Sequence, residues 1–246
     1  MKLSLTFISL IVIVDQTLGF SPGLLSAGRR ITQLLSTTTS FSTTTALEGD
    51  LNTQSLLADS TFSIKPDDLI ARAKQVLGKE IGLGLKDGGE CLAESFAFCA
   101  PVVGPIDRDA FIQALTSFDL ETAFDLEQQY FGWNVDPLQP NRVWYFNRQK
   151  ATHVNTFQGV EATGKKLELP PQCYHMDFEE SGKVTEFGFY TVDRQQGNTG
   201  GLGGAFAFFY GVGKPLPFPE GRPYQMSWQR KFFTAFINVL QKFKKD

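Results

Sequence analysis

Few residues of this chain combine acid/base chemistry with a setting that suits it. Asp193 follows a run in which apolar and polar residues alternate, Val184 to Thr191, and it shares the side-chain parity of Phe187 and Phe189. A carboxylate at the rim of an aromatic face is desolvated, which favours its protonated form and suits it to proton transfer. The competing roles for Asp193 are pairing with Arg194 or Arg148, or capping the turn that follows. His175 falls on the opposite face, beside Glu186, and reads as a surface histidine salt-linked to that carboxylate. His153 shares a strand face with Ala151, Asn155 and Phe157, which makes it the better placed histidine for a site if that face points inward. The glycine-rich stretch 197–204 lacks the Lys-Ser/Thr pair of a phosphate loop and shows no dinucleotide fingerprint. It reads as a close-packed or mobile loop that, together with 205–210, forms a flap over a pocket mouth. Cys91, Cys99 and Cys173 are too few and too scattered for a disulfide framework or a zinc site, and read as packing residues.

The elements that would position these groups follow from period and turn chemistry. Residues 179–182 form a hairpin loop, which sets Phe178 opposite Lys183, Met176 opposite Thr185, Tyr174 opposite Phe187 and Gln172 opposite Phe189. One face is then apolar and aromatic, with Tyr174, Phe187 and Phe189 as candidate ligand-binding residues and Asp193 at its end. A one-residue slip would exchange the faces. Upstream, Pro66 suits a first helical turn, with Asp67 and Asp68 beside it and Leu69, Ile70, Ala73, Val76 and Leu77 at helical spacing. A second short helix carries Leu92, Phe96 and Cys99 before Pro101. Asp107 caps a third, whose stripe is Phe111, Ile112, Leu115 and Phe118. Between Glu121 and Val135 a helical extension and a first strand from Glu127 both fit. Helices followed by strands argue an α+β fold, helices on one face of an antiparallel sheet. With 23 phenylalanines and 23 glycines, the interior should be ring-rich and bounded by tight turns.

The ends of the chain are compositionally distinct. Residues 1–19 hold one lysine and an apolar core too short to span a membrane, as in a signal peptide. Residues 20–48, starting at Phe20, are rich in Ser and Thr, carry Arg29 and Arg30, and are almost free of acids. That is the composition of a transit peptide, the alternative being a secreted stalk. Together they resemble the bipartite plastid presequence of algae with a secondary plastid, so the expected location is the plastid (chloroplast). Residues 49–65 read as linker, 66–213 as the domain, 214–226 as a proline-stiffened connector and 227–246 as an amphipathic helix. That helix can pack on the domain, or lie on a membrane or a partner. A net charge of −3 and a pI near 5.5 leave no footprint for nucleic acid.

The hairpin Thr152-His153 through Phe157-Gln158-Gly159 to Thr163-Gly164-Lys165, with its continuation Asp177-Phe178-Glu179-Glu180-Ser181-Gly182-Lys183-Val184-Thr185-Glu186, is similar to the SnoaL-like family. The likeness runs from about Leu69 to Asp193. It implies the cone-shaped fold of nuclear transport factor 2, a strongly curved antiparallel or mixed sheet wrapped on N-terminal helices around a pocket. It also implies a small, largely apolar ligand and cofactor-free isomerase, cyclase or dehydratase chemistry, with Asp193 in the position of the family's acid/base and no metal. Members that only bind or associate make a non-catalytic scaffold, or a homodimer, the other reading.

Overall fold

The computed structural model describes residues 47–101, 103–217, 232, 235 and 236. The chain divides into two compact units, 1–50 and 51–246. Of the first, a single turn is described, in which the Asp50 N–H donates to the Leu47 carbonyl at 2.9 Å. The leader assignments 1–19 and nearly all of 20–48 therefore lie outside the described residues. So does the C-terminal helix 227–246, apart from Phe232, Ala235 and Phe236, which are helical and exposed.

The second unit opens with α1 (Thr53–Ala58), capped by the Asn52 side chain, inside the segment read as linker. Helix α2 (Pro66–Leu77) forms where its period predicts, buries Leu69, Ala73 and Val76, and stops at Gly78. The next expectation is corrected: the segment carrying Leu92, Phe96 and Cys99 is a strand, β1 (Leu92–Ala100). The spacing misleads for a physical reason. Residues four apart share a face in a strand as well as in a helix, so the burial of both Leu92 and Phe96 fits either, and the register irregularity between Leu92↔Val184 and Ala97↔Glu186 interrupts the strict alternation that would mark a strand. Strand β2 (Val103–Asp107) follows. Then comes α3 (Arg108–Phe118), capped by Asp107, whose carboxylate accepts from the Ala110 N–H at 2.9 Å. The order is thus not three helices and then strands, because two strands precede α3. A short α4 (Leu120–Ala123) leads to β3 (Phe124–Glu127), β4 (Tyr130–Asp136), β5 (Gln139–Asn147), β6 (Lys150–His153), β7 (Lys166–Glu168), β8 (Gln172–Phe178) and β9 (Val184–Thr191).

The main sheet runs β2-β1-β9-β8-β5-β4 and a smaller one β3-β6-β7. Every pairing is antiparallel except β1 with β9, which is parallel. The result is an α+β fold with a curved mixed sheet packed on α2 and α3. In the β8–β9 hairpin, Tyr174 pairs with Phe189 and Met176 with Phe187, two residues from the expected register. Part of the shift arises at the loop, where Gly182 takes φ 79°. The rest comes from a bulge that leaves Thr185 without an opposite residue between Asp177↔Glu186 and Phe178↔Val184. A shift of two keeps side-chain parity, so the aromatic face survives the error.

Two cores result. The larger joins Leu69, Ala73, Val76 and Phe111 to Val143, Tyr145, Met176, Phe178 and Phe187. The smaller joins Phe124, Ala151, Phe157 and Leu167 to Ala207 and Phe208. The last two belong to α5 (Gly204–Gly211), within the stretch read as a flap. That reading is corrected, because Phe206, Ala207 and Phe208 are buried in a packed helix. A helix apolar on all sides shows no amphipathic period, and flanking glycines make it look like loop.

Candidate ligand-binding wall

Alternation along the strands places rings from β4, β5, β8, β9 and β1 on the inner face of the main sheet. Trp133 of β4 stacks on Tyr145 of β5 at 4.3 Å between centroids, and Tyr145 on Tyr174 of β8 at 5.1 Å. Tyr174 meets Phe187 and Phe189 of β9 at 5.8 and 5.7 Å, and both meet Phe98 of β1 at 6.0 and 6.2 Å. Helix α3 closes the β1 end with Phe111, stacked on Phe98 at 5.1 Å. Offset and edge contacts of this kind each contribute about 0.5–1.5 kcal/mol beyond burial. The row is not uniformly covered. Tyr145 is 1% exposed and burial pushes its phenol well above the ordinary range, whereas Tyr174 is half-buried.

The Tyr174 hydroxyl donates to Gln172 Oε1 at 2.9 Å. Gln172 is fully buried, and its Nε2 has no hydrogen-bond partner among the described residues. Sequence parity already set Gln172 on the apolar face, and a polar side chain there was the overlooked signal. Asp193 lies just past β9, half-buried, and accepts from the Gln195 N–H at 3.2 Å and from the Gln196 amide. It therefore caps its own turn. Gln196 also lines a polar cleft of about 260 Å³ with Gln129, Arg148, Lys150 and Glu168.

The structure thus brings Tyr174, Phe187 and Phe189 together and sets Asp193 beyond the end of the same strand. His153 sits elsewhere, in the smaller core, fully buried and stacked on Phe124 at 4.9 Å. Its Nδ1 lies 3.0 Å from the Thr163 hydroxyl and 3.4 Å from the Thr163 N–H, and its buried Nε2 has no hydrogen-bond partner among the described residues.

His175 is bound to Glu186 as expected, Nε2 to Oε1 at 2.9 Å, but it is not a surface residue, being 1% exposed. Trp144 and Tyr190 flank it and Gly188 lies across from it. Burial holds its imidazole below the usual range, outweighing the pull of Glu186. The folded-state value being the lower, the unfolded chain takes up the proton first. Stability should then be full above the unfolded value of about 6.5 and fall as the pH drops through it. Denaturant titrations near pH 7 and about pH 5.5 should show this loss, and His175→Gln should remove it. An equal loss in the variant would contradict the assignment. Cys91, buried beside Asp87, is pushed up to about 12, the state of an unreactive packing thiol.

No known family profile and no curated protein matches this sequence. Among solved structures, AclR from Streptomyces galilaeus is 15% identical, covers 73% of this chain and 95% of its own, and has a TM-score of 0.42. An LEH-like epoxide hydrolase of M. tuberculosis is 9% identical, covering 52% and 84%, with a TM-score of 0.39. A SnoaL-like polyketide cyclase from Agrobacterium tumefaciens is 15% identical, covering 52% and 95%, with a TM-score of 0.36.

Proposed function

We propose that this chain is a SnoaL-like domain of the nuclear transport factor 2 fold whose inner aromatic wall holds a small, largely apolar ligand. The observation that carries this reading is the ring row itself, which holds at its middle a half-buried tyrosine whose hydroxyl is fixed by a buried amide. A core serving stability alone gains nothing from a buried N–H without an acceptor, which costs about 1–3 kcal/mol. Asp193 is the acid/base of this proposal. It would take a proton from the carbon beside a ligand carbonyl, a step that needs no cofactor.

A second reading, association with another copy, is favoured by Phe131 and Tyr190, exposed by 44% and 42%. Phe131 is stacked on Phe146 at 5.3 Å. One set of titrations separates the two. With 2-acetylnaphthalene as probe, Tyr174→Leu should weaken binding to the full chain about tenfold. The association reading predicts no change. The full chain should also speed exchange of the probe's methyl protons with D2O, and Asp193→Asn should lose that effect. Exchange indifferent to the substitution would remove the catalytic part and leave the binding intact.

A further inference from the structure

The polar cleft of about 260 Å³ takes no part in the aromatic wall, and none of the wall's rings lines it. Four stretches of chain meet there, around Gln129, 148–150, 168–171 and 196–197, and the backbone ties them together. The Arg148 N–H donates to the Gln129 carbonyl at 3.1 Å, and the Leu169 N–H to the Gln149 carbonyl at 2.9 Å. The Asn198 N–H donates to the Glu168 carbonyl, also at 2.9 Å. Gly197 takes φ 79°, and a side chain there would fall 2.2 Å from that Glu168 carbonyl oxygen, so the loop after Asp193 lies directly on β7. The fold therefore shapes the cleft before any ligand arrives.

Its lining carries donors that the protein itself leaves unused. Among the described residues, neither Arg148 nor Lys150 closes an ion pair with a carboxylate. The Arg148 guanidinium lies over the Phe131 ring at 5.9 Å. The amides of Gln129 and Gln196 are engaged, donating to Glu127 at 2.6 Å and to Asp193. Glu168, the carboxylate of the lining, stands opposite Lys150 in the β6–β7 register without reaching it. An exposed pair of that kind is weak and yields to a better partner. Leu169 and Pro171 line the same cleft and are buried, which gives it an apolar floor below the polar rim.

We propose that this cleft is a second binding site, separate from the inner wall, for a small organic carboxylate. Arg148 offers the carboxylate two parallel N–H donors and Lys150 a third. Two residues span about 7 Å of chain at most, so one carboxylate touches both cations. The apolar body of the ligand rests on Leu169 and Pro171. The volume has room for roughly nine waters, which limits the ligand to about a single ring with its acid group. A bare inorganic anion leaves the apolar floor wet, and a neutral molecule leaves both cations without a counter-charge.

The test titrates the full chain with sodium benzoate, with neutral benzamide and with inorganic phosphate, followed by amide chemical shifts. Benzoate should move the signals of Gln149, Lys150, Glu168 and Gly197, and should bind about tenfold more tightly than either of the others. Arg148→Met should weaken benzoate about tenfold and leave 2-acetylnaphthalene unaffected, and Lys150→Met should weaken it less. Both side chains are exposed, so neither substitution disturbs the core. Benzamide binding as well as benzoate would overturn the role of the cations, and phosphate binding as well would overturn that of the apolar floor. Benzoate shifts confined to the inner wall, no benzoate binding, or an Arg148→Met chain that binds benzoate unchanged would overturn the site while leaving the wall standing. Equal weakening of benzoate and 2-acetylnaphthalene by Arg148→Met would overturn its separateness.

Discussion

Replacing Gly188 by alanine is expected to lower the unfolding free energy by about 3 kcal/mol, the upper end for an overpacked site. The added methyl would sit 1.9 Å from the Cys99 carbonyl oxygen and 2.5 Å from Cε1 of His175. The first of these is backbone, and it belongs to β1 where that strand runs parallel to β9 inside the main sheet. A rotamer change cannot relieve the clash, so β1 must move away from β9. Phe98, which pairs with Phe187 beside this point, would move with it and open the ring row at its β1 end. Thermal unfolding should show a drop of roughly 6–12 °C for a domain of this size. A drop of only a degree or two would mean that the strands are less closely apposed than described.

Arg142→Met should cost a similar amount, about 3 kcal/mol, for a different reason. The Arg142 guanidinium grips Asp177 with two nitrogens, Nη2 to Oδ2 at 2.7 Å, and reaches Glu186 at 3.2 Å. The Asp177 side chain is only 8% exposed, so without the arginine it remains a buried charge held, among the described residues, by the Gln139 amide. Glu186, more exposed at 37%, stays solvated. The double variant Arg142→Met with Asp177→Leu should recover most of the loss, since removing both charges also removes the desolvation penalty. If the double variant is as unstable as the single one, packing rather than the stranded charge is the cause.

What was legible in the sequence follows from how local each signal is. Helices α2 and α3 are set by Pro66, by the Asp107 cap and by apolar spacing within a few residues, and both formed where expected. The inner face of β8 and β9 survived an incorrect register because the shift was even. Strand β1 reads as a helix because its identity depends on pairing with β9, some ninety residues away, while the i, i+4 pair Leu92 and Phe96 fits a helix face and a strand face alike. Helix α5 carries no sequence signal because apolar residues on all its sides erase the period. At the site, Tyr174, Phe187 and Phe189 could be grouped from parity alone. Gln172 was visible on the same face, but its unpaired nitrogen and its closeness to Gly203 exist only once 172 and 203 are brought together by the fold.

The central claim is that the inner face of the main sheet, and not its outer face, receives an apolar ligand. Intermolecular NOEs from 2-acetylnaphthalene to the full chain test it most directly. Contacts are predicted from the naphthalene protons to the rings of Tyr174, Phe187 and Phe189, which share the inner wall. Contacts confined to Phe131, Phe146 and Tyr190, or none at saturating probe, would contradict it.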